Sequence, residues 1–307
     1  MNQIASEFVA ARTLSEASAP VTYKTATLRG LDIFYREAGA RDAQTVLLLH
    51  GFPSSSHMFR DLIPLLAGRY HVVAPDYPGF GHSSAPSPDR FDYSFATLAE
   101  VIEEFTATIG LTDYVIYMQD YGGPVGLRLA LRNPAKVCGF IVQNAVTNVE
   151  GWNPDVVAKL APAWQNRNAE TEAPLRALLA ADTTRFQYTH GASRVERLSP
   201  DAWAFDQALL DRPGNDRIQL ELLYRYQDNV AQYPKWQDYL RLAQPPLLVV
   251  WGDNDPFFTA QGRDLYKALV PATQVLSYDA GHFALETHAA EIADAIIGFL
   301  DRLPAGR

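Results

Sequence analysis

Short, continuous apolar runs alternate with longer stretches of helical periodicity, and this alternation restricts the fold more than any other feature. The runs cover residues 45–50, 71–74, 114–118, 137–143 and 247–251. Continuous runs of this length, rich in Val, Ile and Leu, are typical of parallel strands buried on both faces. Amphipathic stretches between them, such as 97–109 and 123–132, predict helices. The βαβα order therefore predicts an α/β fold, with a mostly parallel central sheet flanked by helices.

The first part of the chain shows a different pattern. Residues 22–28 and 31–37 alternate between apolar and polar side chains and are joined at Arg29-Gly30. This pattern predicts an antiparallel hairpin that leads into the sheet. Residues 1–20 have a mixed composition, which favours a loose leader or a helix on the surface.

The strand pattern breaks between residues 146 and 244. Helical patterns and several prolines dominate there, and the stretch contains four tryptophans, Trp152, Trp164, Trp203 and Trp236. A helical insertion between two strands is the simplest account. We therefore predict a core domain in two parts, residues 1–145 and 245–307, and a helical cap over residues 146–244.

Composition excludes several classes of function. The formal net charge is −9 and no basic stripe is present, so we expect no nucleic-acid partner. No run approaches the ~18 apolar residues of a membrane span, and the start lacks the pattern of a secretory signal. The single cysteine, Cys138, precludes an internal disulfide and is predicted to be a small buried apolar residue. A cytoplasmic location fits these features, and a homodimer is left open.

The sequence also gives no sign of a bound cofactor or metal. It contains no closely spaced group of His, Cys and carboxylate ligands, and no dinucleotide-binding fingerprint. We therefore expect no cofactor, and chemistry carried by side chains alone.

The most informative segment is the end of the predicted strand 114–118 and the helix that follows it. Asp120 lies between them, with Gly122, Gly123 and Gly126 close behind. A sharp strand-to-helix turn needs small neighbours, and it projects the residue at its tip above the sheet. Asp120 is thus a candidate nucleophile. Aspartate is also a favoured N-cap, so a purely structural role is the alternative.

Three more motifs follow predicted strands. They are His50-Gly51-Phe52-Pro53, the segment 251–256 that carries Asp253 and Asp255, and Ala280-Gly281-His282-Phe283. A histidine base needs a carboxylate to hold its tautomer, and either aspartate is placed to provide one. The order nucleophile, acid, histidine is that of a known catalytic triad.

Taken together, these motifs resemble those of the α/β-hydrolase superfamily along nearly the whole chain. The branch of epoxide hydrolases and haloalkane dehalogenases is the most similar. The segments that carry the resemblance are 50–53, 76–83 (DYPGFGHS), 119–123 (QDYGG), 252–255 (GDND) and 281–282. The resemblance implies that Asp255 is the acid, because the family motif is Gly-x-x-Asp. It also implies an oxyanion hole formed by the backbone N–H groups of Phe52 and Tyr121, and a helical cap.

An aspartate nucleophile implies a particular reaction. A carboxylate that attacks an alkyl carbon forms an alkyl ester on the enzyme, which a water activated by His282 then hydrolyses. The expected partner is a small apolar electrophile, with an epoxide as the first choice and a haloalkane or haloacid as the second. A non-catalytic ligand binder of the same fold is the alternative from another class.

The leaving group distinguishes an epoxide from a halide substrate. In the resembled family, cap tyrosines donate to an epoxide oxygen, and a tryptophan after the nucleophile contacts a halide. Tyr121 occupies that position here, which favours the epoxide. The candidate donors from the cap are Tyr224, Tyr226, Trp164 and Tyr188. Trp164 leaves room for a dehalogenase, and packing between cap and core is the structural alternative for each.

Overall fold

The computed structural model describes residues 20–303, so the predicted leader lies, except for Pro20, outside the described residues. Eight strands form one sheet in the order β1-β2-β4-β3-β5-β6-β7-β8. Their bounds are β1 Thr22–Leu28, β2 Leu31–Ala38, β3 Thr45–Leu49, β4 His71–Pro75, β5 Tyr114–Gln119, β6 Val137–Gln143, β7 Leu247–Gly252 and β8 Gln274–Tyr278. The prediction of an α/β fold with a mostly parallel sheet is confirmed.

The two ends of the sheet differ in strand direction. β1 and β2 form the predicted antiparallel hairpin, with Leu28 paired to Leu31, and β2 also pairs antiparallel with β4. The strands from β4 to β8 in the sheet order are all parallel. The central strands β3, β5 and β7 are buried along their whole length, which is why they appear as continuous apolar runs in the sequence.

The parallel register brings the predicted motifs to one edge of the sheet. Leu49 at the end of β3 pairs with Met118 of β5, and Gln119 at the end of β5 pairs with Gln143 of β6. β7 lies next to β6 in the same direction. The loops that follow these four strands therefore meet above the carboxyl ends of the strands, where open α/β sheets bind their ligands.

Helices cover both faces of the sheet. One apolar cluster packs α1 Leu62–Leu66 and α12 Leu285–Leu300 against one face. A larger cluster packs α2 Phe95–Thr108, α3 Gly122–Arg132 and α11 Ala260–Leu269 against the other. None of the helices in residues 20–303 combines the length and the apolar character needed to cross a bilayer.

Seven α-helices lie between β6 and β7. They are α4 Pro154–Gln165, α5 Ala169–Ala177, α6 Ala181–Thr189, α7 Pro200–Leu210, α8 Asn215–Arg225, α9 Gln227–Val230 and α10 Tyr233–Ala243. We call this helical segment, α4 to α10, the cap. The division of the chain into domains at residues 145 and 245 stays a prediction.

The burial of Cys138 differs from expectation. It lies on β6, where the strand is only partly covered at its start, so Cys138 is half-buried instead of buried. Its Sγ lies 3.8 Å from a carboxylate oxygen of Asp113 in the loop before β5.

Candidate active site

Asp120 lies at the tip of the turn between β5 and α3. Its backbone adopts a φ of +49°, the left-handed region that few residues other than glycine occupy. Such a backbone costs on the order of 1–3 kcal/mol and persists only where the surrounding structure enforces it. Its side chain does not cap α3, because the helix has no side-chain cap. The carboxylate instead accepts a 2.7 Å hydrogen bond at Oδ1 from the backbone N–H of Phe52.

Two glycines make this turn sterically possible. A Cβ on Gly51 would lie 2.3 Å from the Cβ of Asp120, and a Cβ on Gly122 would lie 2.2 Å from the carbonyl oxygen of Leu49. Both contacts are far inside van der Waals distance, and both involve atoms that cannot move away. Only glycine at these positions lets the loop after β3 approach Asp120.

The predicted oxyanion hole faces the carboxylate of Asp120. Burial raises the pKa of Asp120 to about 6, although His282 and the backbone N–H groups of Phe52 and Tyr121 act to lower it. The two N–H groups therefore stabilise negative charge on the carboxylate. They are also placed to stabilise an oxyanion formed on the same group.

The loop that carries Phe52 is held by a buried histidine and a buried carboxylate. His50 has Nδ1 3.1 Å from the carbonyl oxygen of Gly51, and its Nε2 accepts a hydrogen bond from the backbone N–H of Tyr77. Burial lowers the pKa of His50 to about 4, so it is neutral near pH 7. Asp76 accepts hydrogen bonds from the backbone N–H groups of Ser56 and His82. These contacts fix the loop that supplies the Phe52 N–H.

His282 forms the predicted pair with Asp255. Its Nδ1 lies 2.8 Å from Oδ2 of Asp255, and both side chains are almost fully buried. Burial lowers the pKa of His282, but the Asp255 carboxylate outweighs that effect and the net pKa is raised. Asp253, the competing aspartate, instead pairs with Arg263 at the surface.

Asn144, which directly follows β6, organises the loop that carries Asp255. Its backbone also has a positive φ, +40°, a conformation that asparagine tolerates better than most residues. The side-chain amide donates to Oδ2 of Asp255 at 2.8 Å and to the carbonyl of Gly252, and its oxygen accepts from the N–H of Gly252. Sequence reasoning missed Asn144. The sequence feature that could have identified it is its position directly after a predicted parallel strand, where site residues of this kind of sheet lie.

Gln119 is the second residue that sequence reasoning left without a role. It is fully buried, and its Nε2 lies 2.8 Å from Nε2 of His282. The histidine ring is thus contacted at both nitrogens, by Asp255 on one side and by Gln119 on the other.

Asp120 and His282 line one cavity beneath the cap. The cavity has a volume of about 50 Å³, and its lining is predominantly apolar. Its other lining residues are Phe52, Tyr121, Trp152, Val156, Leu160, Leu178, Gln187, Leu223, Tyr226, Phe257 and Phe258. The arrangement is a small apolar cavity whose core side carries the Asp120 carboxylate, the His282 imidazole and the residues of two N–H donors, Phe52 and Tyr121.

This geometry agrees with the comparison to protein-family models, in which the α/β hydrolase fold family matches residues 44–289. The chain belongs to the α/β-hydrolase fold family. It is a hydrolase of this family and is similar in sequence to haloalkane dehalogenases.

Three similar proteins span nearly the whole of this hydrolase. An uncharacterized hydrolase of Saccharomyces cerevisiae is 41% identical, over 87% of this chain and 93% of its own. A haloalkane dehalogenase of Psychrobacter cryohalolentis is 25% identical, over 89% of each chain. The solved structure of the epoxide hydrolase CorEH matches with a TM-score of 0.75 at 19% identity, over 92% of this chain and 99% of its own. At that identity the last comparison supports the fold alone.

Of the four cap residues predicted as donors in this hydrolase, only Tyr226 lines the cavity. It lies at the junction of α8 and α9. The other three have different partners. Tyr224 packs its ring under the guanidinium of Arg167, at 4.7 Å.

Trp164 and Tyr188 are likewise engaged away from the cavity lining. The indole N–H of Trp164 donates to the carbonyl of Leu223 at 3.0 Å. The hydroxyl of Tyr188 donates to Asp206, and its ring stacks on Phe283 with centroids 4.1 Å apart. Trp152, which had no predicted role, does line the cavity, but its indole N–H donates to the hydroxyl of Tyr233 at 2.9 Å.

Proposed function

We propose that this hydrolase opens epoxides to vicinal diols through a covalent alkyl-enzyme ester on Asp120. One observation carries the choice of substrate: Tyr226 lines the same cavity as Asp120, and its buried hydroxyl has no side-chain hydrogen-bond partner in residues 20–303 other than Tyr233. Burial raises the pKa of Tyr226 well above its usual value, and the neighbouring Tyr233 hydroxyl and the charge of Asp120 raise it further. The phenol is therefore protonated near pH 7 and can donate to an epoxide oxygen.

In the first step, a carboxylate oxygen of Asp120 attacks one ring carbon of the epoxide. The ring C–O bond at that carbon breaks, and the departing oxygen takes the proton of the Tyr226 phenol. The products of the step are a 2-hydroxyalkyl ester on Asp120 and a phenolate on Tyr226. Asp120 needs no separate base, because its pKa of about 6 leaves it mostly ionised at neutral pH.

In the second step, His282 removes a proton from water, and the resulting hydroxide adds to the ester carbonyl carbon of Asp120. The N–H groups of Phe52 and Tyr121 stabilise the oxyanion. Collapse breaks the bond between that carbon and the alkyl oxygen, which leaves with the proton from His282. The new carboxylic acid of Asp120 loses its proton, and the Tyr226 phenolate regains one, so the net reaction is epoxide plus water to diol.

A haloalkane is the second candidate substrate, because the relative from Psychrobacter cryohalolentis is named a haloalkane dehalogenase. Asp120 would attack the carbon that bears the halogen in the same way, and the halide would leave. A halide, however, is best stabilised by N–H dipoles, and both nearby indoles are engaged. Trp152 donates to Tyr233, and Trp164 donates to a backbone carbonyl. We therefore place epoxides first.

A parallel assay separates these candidates. Styrene oxide and 1-bromobutane are offered to the enzyme, and diol and bromide are measured. We expect diol to exceed bromide. Bromide without diol would assign the chain to carbon–halogen hydrolysis, and thermal stabilisation by either compound without turnover would indicate a binder.

Isotope labelling tests the covalent step itself. In a single turnover in H₂¹⁸O, with enzyme in excess, the diol should contain no ¹⁸O, and the label should appear in the peptide that carries Asp120. Label in the diol from the first turnover would indicate direct attack by water, and it would contradict the ester mechanism.

A further inference from the structure

Tyr121 has a side chain for which the mechanism above gives no role. Its backbone N–H belongs to the predicted oxyanion hole, and the residue is one of those that line the cavity containing Asp120. The residue is 3% exposed, and its hydroxyl has no hydrogen-bond partner. A buried polar group without a partner costs about 1–3 kcal/mol, so its retention in a cavity calls for an explanation.

The position in the cavity distinguishes Tyr121 from other buried phenols. Among residues 20–303, the buried hydroxyls of Tyr77 and Tyr121 have no partner. Three other buried phenols interact with a neighbouring hydroxyl: Tyr114 with Thr106, Tyr226 with Tyr233, and Tyr266 with Thr147. Only Tyr121 and Tyr226 among these line the cavity. One comes from the core, directly after Asp120, and the other comes from the cap.

Aromatic packing holds these two phenols side by side. Their ring centroids are 5.8 Å apart, and the planes are tilted by 39°. Phe95 at the start of α2 contacts both rings edge-on, at 4.8 Å from Tyr121 and 5.4 Å from Tyr226. Phe52 and Phe80 pack on other sides of Tyr121. The Tyr121 ring is therefore fixed in place before any ligand binds.

The electrostatic surroundings keep the Tyr121 hydroxyl protonated. Burial raises the pKa of Tyr121 well above its usual value, and the Asp120 charge raises it further. An O–H in this environment can donate a hydrogen bond but not lose its proton to solvent near pH 7. It can therefore stabilise negative charge that develops in the cavity during the reaction.

We propose that the Tyr121 hydroxyl is a second donor to the epoxide oxygen, so that one phenol from the core and one from the cap hold this oxygen together. The inference rests on the proposed function. Tyr226 transfers its proton as the ring C–O bond breaks, and Tyr121 donates a hydrogen bond to the developing alkoxide and keeps its own proton. Tyr121 would then serve both half-reactions, through its side chain in the first and its backbone N–H in the second.

Tyr121→Phe tests this role, because it removes the hydroxyl but keeps the ring and the backbone N–H. Alkylation is followed alone in a His282→Gln background, as added mass on the peptide that carries Asp120. With propylene oxide we expect alkylation to slow by about ten- to a hundredfold, at or below the lower end of the usual range for general acid catalysis, because Tyr226 still donates to the oxygen. Tyr77→Phe is the matched control, because its hydroxyl is also buried and unpartnered near Asp120 but lies outside the cavity lining.

A second epoxide separates acid assistance from a structural role. In 3,3,3-trifluoro-1,2-epoxypropane the departing alkoxide is less basic and needs less help from a donor. Tyr121→Phe should therefore slow this substrate less than propylene oxide, whereas a distorted site would slow both equally. Equal slowing of the two epoxides, or alkylation of Tyr121→Phe at the parent rate, would overturn the inference. Failure of the parent enzyme to form any adduct or diol would overturn the proposed function instead.

Discussion

The amide nitrogen of Gln119 lies 2.8 Å from Nε2 of His282, the ring nitrogen that would accept a proton from water. The other ring nitrogen, Nδ1, lies 2.8 Å from Asp255. The imidazole is thus held at both ends, by the strand end that carries Asp120 and by the loop after β7. The contact with Gln119 links the base directly to the residue that precedes the proposed nucleophile.

Gln119→Met should affect the second half-reaction and spare the first. Methionine has a similar length but offers no amide, so the ring would be held at Nδ1 alone. We expect ester hydrolysis to slow by about tenfold, because a loosely oriented base loses much of its advantage. Alkylation of Asp120 does not use the base and is the internal control. Rapid quenching measures both steps, and equal slowing of the two would argue for a general disturbance of the site.

Asp255→Asn should trap the alkyl-enzyme. The amide cannot stabilise an imidazolium, and it can favour the wrong histidine tautomer. We expect turnover to fall by about 10⁴-fold, as for the equivalent change in a serine protease triad, while mass spectrometry detects the ester on Asp120. Asp253→Asn is the matched control, because Asp253 lies two residues away and pairs with Arg263 at the surface. Similar losses in the two variants would contradict the assigned pair.

The pH dependence of alkylation should report the pKa of Asp120. Only the ionised carboxylate attacks carbon, and burial raises its pKa to about 6. The single-turnover alkylation rate should therefore be constant above pH 7 and fall as the pH decreases, reaching half its maximum near pH 6. A midpoint near pH 4, the range of an exposed aspartate, would mean that the group does not experience the buried environment described above.

Asn144→Ala should lower the free energy of unfolding. The variant removes three hydrogen bonds inside the fold, one to Asp255 and two to Gly252. It also replaces an asparagine at positive φ with a residue that tolerates this conformation less well. We expect a loss of about 1–3 kcal/mol in urea unfolding. Asn144→Gly removes the same hydrogen bonds, but glycine tolerates a positive φ. Its free energy of unfolding should therefore lie between those of the parent and Asn144→Ala. A value equal to that of the parent would assign the whole loss to the backbone conformation.

The sequence predicted the parts of the fold and site that depend on local patterns. Buried strands in a parallel sheet are apolar along their length, so their positions could be read directly, as could the hairpin at Arg29-Gly30. Asp120 was identifiable because a tight turn needs glycines around it. These features are determined by residues a few positions apart. The structure places Asp120 and His282 at one cavity, with Asp255 paired to His282, because parallel strands end at a common edge.

Tertiary structure alone decided which cap side chain reaches that cavity. Tyr224 and Tyr226 are two residues apart in helical backbone. Each step along a helix rotates the side-chain direction by about 100°, so these two side chains face nearly opposite sides. Which side meets Asp120 depends on how α8 packs on the core, and no spacing in the sequence encodes this. The same holds for Gln119 and His282, which are 163 positions apart and meet only because β5 and the loop after β8 end above the same sheet edge.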